Sequence, residues 1–446
     1  MSELHEHIEK QVIAAAVIPV LNNTHSFQTQ RESETQGLVE ALNSVCTFVK
    51  TVHIRTPNPS TLFGRGQLDQ ISSDLEANDC DLLVVDGTLS PIQQRNLERD
   101  LQCKVIDRTG LILEIFGLRA RTKAGRLQVE TARLAYERSR LVRTWTHLER
   151  QRGGQGFLSG PGETQIESDR RMIDNALLRL RKQLGDVEKT RRLQRAGRDA
   201  RNVPIVALVG YTNAGKSTLF NRLASSDVFA KDMPFATLDP TIRQIELPGG
   251  QEIALVDTVG FITDLPTALI ESFKATLEET MEADLILHVH DAASPDVDDQ
   301  SDDVEEILED LEDMFDADAP PIVHVWNKVD CLTESERSFR DTLISNLDES
   351  SEHVLVSAQT GEGIDTLLDL ISKRAFEQTE VFALTIPVTE GNALAWLHRN
   401  GRILSKDIEN TSGDTQVRVL LSAQNRSRFA SQYPEILTPE DKDALW

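Results

Sequence analysis

Gly210-Tyr211-Thr212-Asn213-Ala214-Gly215-Lys216-Ser217 decides the fold of this 446-residue chain. The octapeptide follows the apolar, β-branched run Ile205–Val209 and opens a stretch of helical pattern, which is the strand–loop–helix context that G-x(4)-G-K-[ST] requires. Its glycines let the backbone turn so that successive N–H groups and a helix N-terminus face phosphate oxygens. Lys216 adds a point charge for the β and γ phosphates, and Ser217 offers a hydroxyl to Mg²⁺. A nucleotide-phosphate site at the end of a buried strand is therefore predicted.

Working downstream, Asp257-Thr258-Val259-Gly260 ends the strand candidate Glu252–Val256 and fits D-x-x-G. Asp257 is placed to hold Mg²⁺ through water, and the Gly260 N–H to sense the γ-phosphate. Asn327-Lys328-Val329-Asp330 follows the apolar strand Ile322–Trp326. A carboxylate at Asp330 accepts from the N1–H and exocyclic amine of guanine, a donor pair that adenine lacks, while Asn327 braces base and loop. Ser357-Ala358-Gln359 closes the pocket and brings a backbone N–H to the guanine O6. Between the phosphate loop and Asp257, the stretch Phe235-Ala236-Thr237-Leu238-Asp239-Pro240-Thr241 must supply a threonine to Mg²⁺, and spacing does not choose between Thr237 and Thr241. This ordered set predicts a GTP site, with Lys216 and Gly260 as candidate catalytic groups. It disfavours a nucleoside or metabolite kinase on the same phosphate loop. Phe261 stands where many GTPases carry a water-orienting glutamine, and phenylalanine cannot position water by hydrogen bonding. Slow intrinsic hydrolysis, completed from elsewhere, is the expectation.

Outward from this region the pattern is α/β throughout. Strand candidates Ile205–Val209, Ile242–Leu247, Glu252–Val256, Leu285–His290, Ile322–Trp326 and Val354–Ser357 alternate with helical segments, predicting a Ras-like, doubly wound domain over 203–378. Upstream, Val12–Val20, Cys46–Ile54, Cys80–Asp86 and Val105–Asp107 alternate with Gln67–Ala77 and Pro91–Leu101, which predicts an N-terminal α/β layer over 1–118. Residues 111–150 and 164–201 read as two long helices around the glycine-dense break Arg152–Glu163, a helical hairpin assigned to 119–202. After 379 the runs Phe382–Pro387, Ala393–His398 and Gln416–Leu421 predict a small C-terminal α+β domain.

Charge is distributed unevenly along the chain. The net charge is −25, yet residues 119–202 hold 21 Lys and Arg against 10 Asp and Glu, leaving −36 on the remainder. Such a local excess predicts an RNA-facing segment inside an acidic protein, with i,i+4 ion pairs along a solvated hairpin, and Phe157 packed against the helix ends, as the plainer alternative. By contrast, residues 291–318 hold 14 acidic groups with Val304, Ile307, Leu308 and Leu311 at helical spacing, which reads as a solvated acidic helix face. Cys46, Cys80, Cys103 and Cys331 are scattered, providing neither a zinc pair nor a disulfide framework and fitting a reducing cytoplasm. The run Val12–Leu21 lacks a basic flank and is too short to span a bilayer, so a membrane-embedded chain is not expected.

These residues together resemble an HflX-type GTPase of the Obg-related group. The likeness rests on Phe63-Gly64-Arg65-Gly66-Gln67-Leu68, Asp107-Arg108-Thr109, Arg126-Leu127-Gln128-Val129-Glu130, Gly160-Pro161-Gly162-Glu163-Thr164-Gln165 with Arg170-Arg171, and the motifs Gly210–Ser217 and Phe235–Pro240. It implies Thr237, with Ser217, as the Mg²⁺ ligand. It further implies a monomer that binds the large ribosomal subunit and its RNA, separates the subunits of stalled or idle ribosomes, and hydrolyses GTP to GDP faster there. An RNA-binding switch whose GTP state controls binding without splitting is the alternative. Ribosome-contact candidates are Gly153, Gly154, Gly156, Phe157, Gly160, Pro161 and Gly162 at the hairpin tip, where Ser159 departs from the Arg or Gly of many relatives. Asn213 sits where some glutamine-lacking GTPases that resemble this chain hold K⁺, with bracing of the loop as its plainer role. Relatives have been suggested to bind ATP through the N-terminal layer; Gly64-Arg65-Gly66 reads better as a turn.

Overall fold

The computed structural model describes residues 11–21, 28–141, 161–199, 203–224, 235, 241–248, 250–262, 277, 280–315, 319–345, 352–376, 379–388, 390–400, 402–408, 414–422 and isolated positions from 426 to 436. The chain separates into two compact units, Met1–Asp186 with Phe229–Asp239 and Val259–Leu277, and Val187–Val228 with Pro240–Thr258 and Glu278–Trp446.

In the first unit β1 (Ile13–Leu21), β2 (Val45–Ile54), β3 (Leu82–Val85) and β4 (Lys104–Asp107) form a parallel sheet in the order β2-β1-β3-β4. Its connections carry α1 (Gln28–Glu40), α2 (Arg65–Ala77) and α3 (Pro91–Leu101). Gly64 begins α2, donating its N–H to Gln67 Oε1 at 2.9 Å, and a Cβ on Gly66 would meet nothing within 4 Å. The pair is a helix start and not the turn expected from the sequence. α1 carries no clear apolar period, and its buried Leu38 and Val39 are adjacent in sequence, so no helix was expected there.

The helix expected over 111–150 is instead α4 (Arg108–Arg119) followed by α5 (Lys123–Leu141). The break has a local cause: Ala120 leaves helical geometry at ψ 106°, and the Thr122 hydroxyl accepts the Gly125 N–H at 2.9 Å, starting the second helix. α6 runs Pro161–Asp199, so Pro161, Gly162 and Glu163, expected to break the helix, form its first turn. Proline at the first helical position forfeits only an N–H without an intrahelical partner. Arg138 pairs with Asp174 at 2.8 Å between α5 and α6. Gly153, Gly154, Gly156, Phe157 and Gly160 lie outside the described residues.

The second unit contains β5 (Ile205–Val209), α7 (Lys216–Leu223), β6 (Thr241–Glu246), β7 (Glu252–Asp257), β8 (Leu285–Asp291), α8 (Val297–Phe315), β9 (Ile322–Asn327), α9 (Glu334–Ser345), β10 (Glu352–Leu355) and α10 (Ile364–Ala375). The sheet order is β10-β9-β8-β5-β7-β6, parallel except for the antiparallel edge strand β6. Leu219 and Phe220 of α7 and Leu367 and Ile371 of α10 pack on Val206, Leu208, Leu287 and Val289 of the sheet. Burying each such side chain contributes about 1.5–3 kcal/mol. α8 buries Val304, Ile307, Leu308 and Leu311, as the acidic-face reading requires. β11 (Thr379–Ile386), α11 (Gly391–Asn400), β12 (Arg402–Ile408) and β13 (Thr415–Ser422) complete a small antiparallel sheet, order β11-β13-β12. Strand order reverses direction at β5, the position where open α/β sheets take ligands beyond their strand ends.

Candidate functional site

Glycine is required at two points of the loop between β5 and α7. At Gly210, φ is +146° and a Cβ would lie 2.3 Å from the Val289 carbonyl oxygen; at Gly215, φ is +92° and a Cβ would lie 2.2 Å from Asn327 Nδ2. Asn213 adopts φ 63°, and its side chain is exposed. Lys216 is folded into the loop, donating from Nζ to the Gly210 oxygen at 3.0 Å and the Tyr211 oxygen at 2.7 Å. Burial pushes this ammonium down to about 8; Asp257 opposes the shift and Lys328 adds to it.

The Ser217 hydroxyl donates to Asp257 Oδ2 at 2.8 Å, and Asp257 is fully buried. A hydroxyl and a carboxylate side by side are hard oxygen donors, the set that suits Mg²⁺. Thr258 anchors the end of β7 by donating to the Leu208 oxygen at 2.5 Å. Val259, Gly260 and Phe261 follow it in the chain and are buried; they belong to the other compact unit. So does Phe235, at φ 55°, whose ring meets Phe116 edge-on at 4.7 Å. Ala236, Thr237, Leu238 and Asp239 lie outside the described residues.

Asn327, at the end of β9, links two loops. Its Nδ2 donates to the Ala214 oxygen and its Oδ1 accepts the Ala358 N–H, both at 2.9 Å. Just beyond it, Lys328 takes φ 66° and donates to Asp291 Oδ2 at 2.7 Å, and Val329 is buried. Asp330 is exposed at the head of the loop, its Oδ1 accepting from the Ser357 hydroxyl at 2.5 Å. Ser357 is buried while Gln359 is exposed. The phosphate loop, Asp257, Asn327–Asp330 and Ser357–Gln359 thus meet at one end of the sheet, where Asn213, Asp330 and Gln359 are exposed.

Two supports escaped the motif reading. Arg222 of α7 donates to the Ala358 oxygen at 3.0 Å and to that of Gln359, tying the phosphate-loop helix to the Ser357–Gln359 loop. Asp291 at the end of β8 holds Lys328. A basic residue seven positions beyond Gly215 and an acid ending a strand have no spacing signature of their own.

Models of known families cover nearly the whole chain. A GTP-binding GTPase N-terminal model matches residues 29–117, a GTP-binding GTPase middle-region model 119–198, a 50S ribosome-binding GTPase model 205–328, and an HflX C-terminal domain model 342–443. The GTPase HflX of Magnetococcus marinus is 44% identical over 408 residues, covering 91% of each chain. That of Escherichia coli is 42% identical over 423 residues, 95% of this chain and 97% of its own. The chain belongs to the HflX family of GTPases. As an HflX-family GTPase it binds guanine nucleotides and hydrolyses GTP. The crystal structure of a GTP-binding protein from Sulfolobus solfataricus in complex with GDP aligns over 82% of this chain and 99% of its own, at 24% identity and a TM-score of 0.45. Among the described residues no helix of this HflX-family chain is long and apolar enough to cross a membrane.

Proposed function

We propose that this GTPase works with Mg²⁺ on the large ribosomal subunit in the cytoplasm, using GTP binding and hydrolysis to separate the subunits of stalled or idle ribosomes. The observation that carries the nucleotide half is the Asn327 carboxamide, which joins the phosphate-reading loop to the guanine-reading loop through two hydrogen bonds. In this reading Lys216 exchanges its two loop carbonyls for the β and γ phosphates. Ser217, with Thr237, holds Mg²⁺, whose charge offsets that of the phosphates. Asp330 takes the guanine N1–H and amine, and a backbone N–H of the Ser357–Gln359 loop meets O6. Gly260 senses the γ-phosphate, and the exposed Asn213 amide is the candidate K⁺ ligand.

The ribosome half is supported by the local charge of +11 over residues 119–202 and by the match of residues 205–328 to a model described as ribosome-binding. Arg and Lys that neutralise RNA phosphates release counterions, so binding there falls steeply with salt. Sedimentation with purified large subunits tests it: the full chain should pellet with a non-hydrolysable GTP analogue and much less with GDP. Replacing Gly153–Gly162 by a short neutral turn should keep GTP binding and sharply reduce ribosome-stimulated hydrolysis and splitting. Nucleotide-dependent binding without separation of subunits would favour the RNA-binding switch, and no cosedimentation in either state would overturn both.

A further inference from the structure

Strand pairing gathers histidines that are far apart in sequence. His288 and His290 sit two apart on β8 and so face the same side of the sheet, while parallel pairing puts His324 of β9 opposite His288. One ring nitrogen from each of the three lies within 4.8 Å of the others. His290 Nε2 is 3.1 Å from His324 Nδ1, and the His288 and His290 rings are 3.9 Å apart. His288 and His290 are 1% and 4% exposed, and His288 Nδ1 is buried with no hydrogen-bond partner. A buried imidazole nitrogen without a partner is a cost the fold must offset.

We propose that His288, His290 and His324 form a binding site for one Zn²⁺ ion, separate from the nucleotide's Mg²⁺. Three imidazoles without a carboxylate among them are borderline donors, which suit Zn²⁺ and poorly suit Mg²⁺ or Ca²⁺. Burial holds all three imidazoles below their ordinary range, His288 down to about 3, so each keeps the neutral form whose lone pair binds metal. On binding, the proton shared in the His290–His324 contact moves to the other nitrogen of its own ring, and no net proton is released.

Surrounding residues fix the donors. Trp326 Nε1–H donates to His353 Nδ1 at 3.2 Å, which occupies that nitrogen, and the His353 ring stacks on His324 at 4.7 Å. The Arg340 guanidinium covers the Trp326 ring at 4.8 Å. Three protein ligands leave a fourth position for water, and the ion would staple β8 to β9 next to Asp291 and Asn327, which end those strands. The scattered cysteines gave no hint of it, because the ligands converge only through strand register.

The test uses the full chain, free of any histidine tag and stripped of metal and nucleotide. Titration with Co²⁺ should give one equivalent of a visible-absorbing tetrahedral complex, displaced by Zn²⁺ and unaffected by Mg²⁺. His290→Val and His324→Val keep β-branched strand residues and should weaken Zn²⁺ binding by at least about 10- to 100-fold. GDP binding reports that each variant is folded. For the unmodified protein loaded with one equivalent of Zn²⁺, X-ray absorption at the zinc edge should count three imidazole nitrogens, a measurement that needs no variant. Absence of stoichiometric binding, fewer imidazoles at the edge, or unchanged affinity in both folded variants would overturn the proposal.

Discussion

Two α/β sheets of this chain, one wholly parallel and one parallel but for its edge strand β6, surround their strand ends differently. In the four-stranded sheet Asp86 and Asp107 follow β3 and end β4, and arginines neutralise both. Arg108 Nη1 donates to Asp86 Oδ1 at 2.6 Å, Arg31 Nε to Asp86 Oδ2 at 2.7 Å, and Arg140 with the Tyr136 hydroxyl to Asp107, each at 2.5 Å. In the six-stranded sheet Asp257 and Asn327 hold the equivalent strand ends, and their hydrogen-bond partners include a serine hydroxyl and backbone groups of glycine-bearing loops. One sheet edge is sealed by its own ion pairs, and the other, the open edge, carries the guanine-nucleotide motifs. Architecture is shared; the groups set around the strand-end acids differ.

Breaking the sealed edge should have the largest effect on stability. Asp86→Ala leaves the buried Arg108 guanidinium without its main partner, which costs about 3–5 kcal/mol. Urea unfolding of the first unit should shift accordingly while GDP binding persists. Burial raises the Asp86 carboxyl and Arg108 and Arg31 outweigh it, holding the group below the usual carboxylate range. Its contribution is therefore full above the ordinary Asp value and lost as pH falls through the lower folded value. Acid unfolding of Asp86→Asn should accordingly show a shallower pH dependence than that of the unmodified chain.

The open edge is probed through Lys216. Lys216→Ala should reduce kcat about 10²- to 10³-fold, the effect of removing one preorganised charge partner from a transferring group. In the free protein this lysine titrates at about 8, against its ordinary 10.5, so the unfolded chain binds more protons between those values and stability of the free protein rises with pH there. Phosphates restore the ammonium. Calorimetry of GDP binding in two buffers should thus find uptake approaching one proton at about pH 9 and close to none at about pH 7. Equal uptake at both would contradict the reading of Lys216.

Arg222 should give the smallest change. Arg222→Ala removes two donors to the Ser357–Gln359 loop; with the equivalent of one hydrogen bond, about 0.5–1.5 kcal/mol, felt by the nucleotide, GDP affinity should drop roughly 2- to 12-fold, seen as faster dissociation.

The open edge was legible because its chemistry needs residue types at fixed local spacing: Gly210, Gly215 and Lys216 in one loop, Asn327 and Asp330 in another. The sealed edge was not, since Arg31, Asp86, Arg108 and Arg140 come from separate elements and mean nothing until the sheet forms. The same holds for Arg222, Asp291 and the histidines of β8 and β9. Helix limits failed where one side chain decides them, as at Thr122, and β12 (Arg402–Ile408) was missed because its polar sequence lacks a strand period.

Guanine reading by Asp330 is seen most plainly in base preference. Turnover of GTP, ATP and XTP is measured for the unmodified chain and for Asp330→Asn. The unmodified chain should use GTP alone. In the variant an amide replaces the acceptor and donates to the xanthine 2-carbonyl, so preference should move toward XTP by at least about 10²-fold. Full retention of GTP preference by Asp330→Asn would mean that guanine is read by other residues.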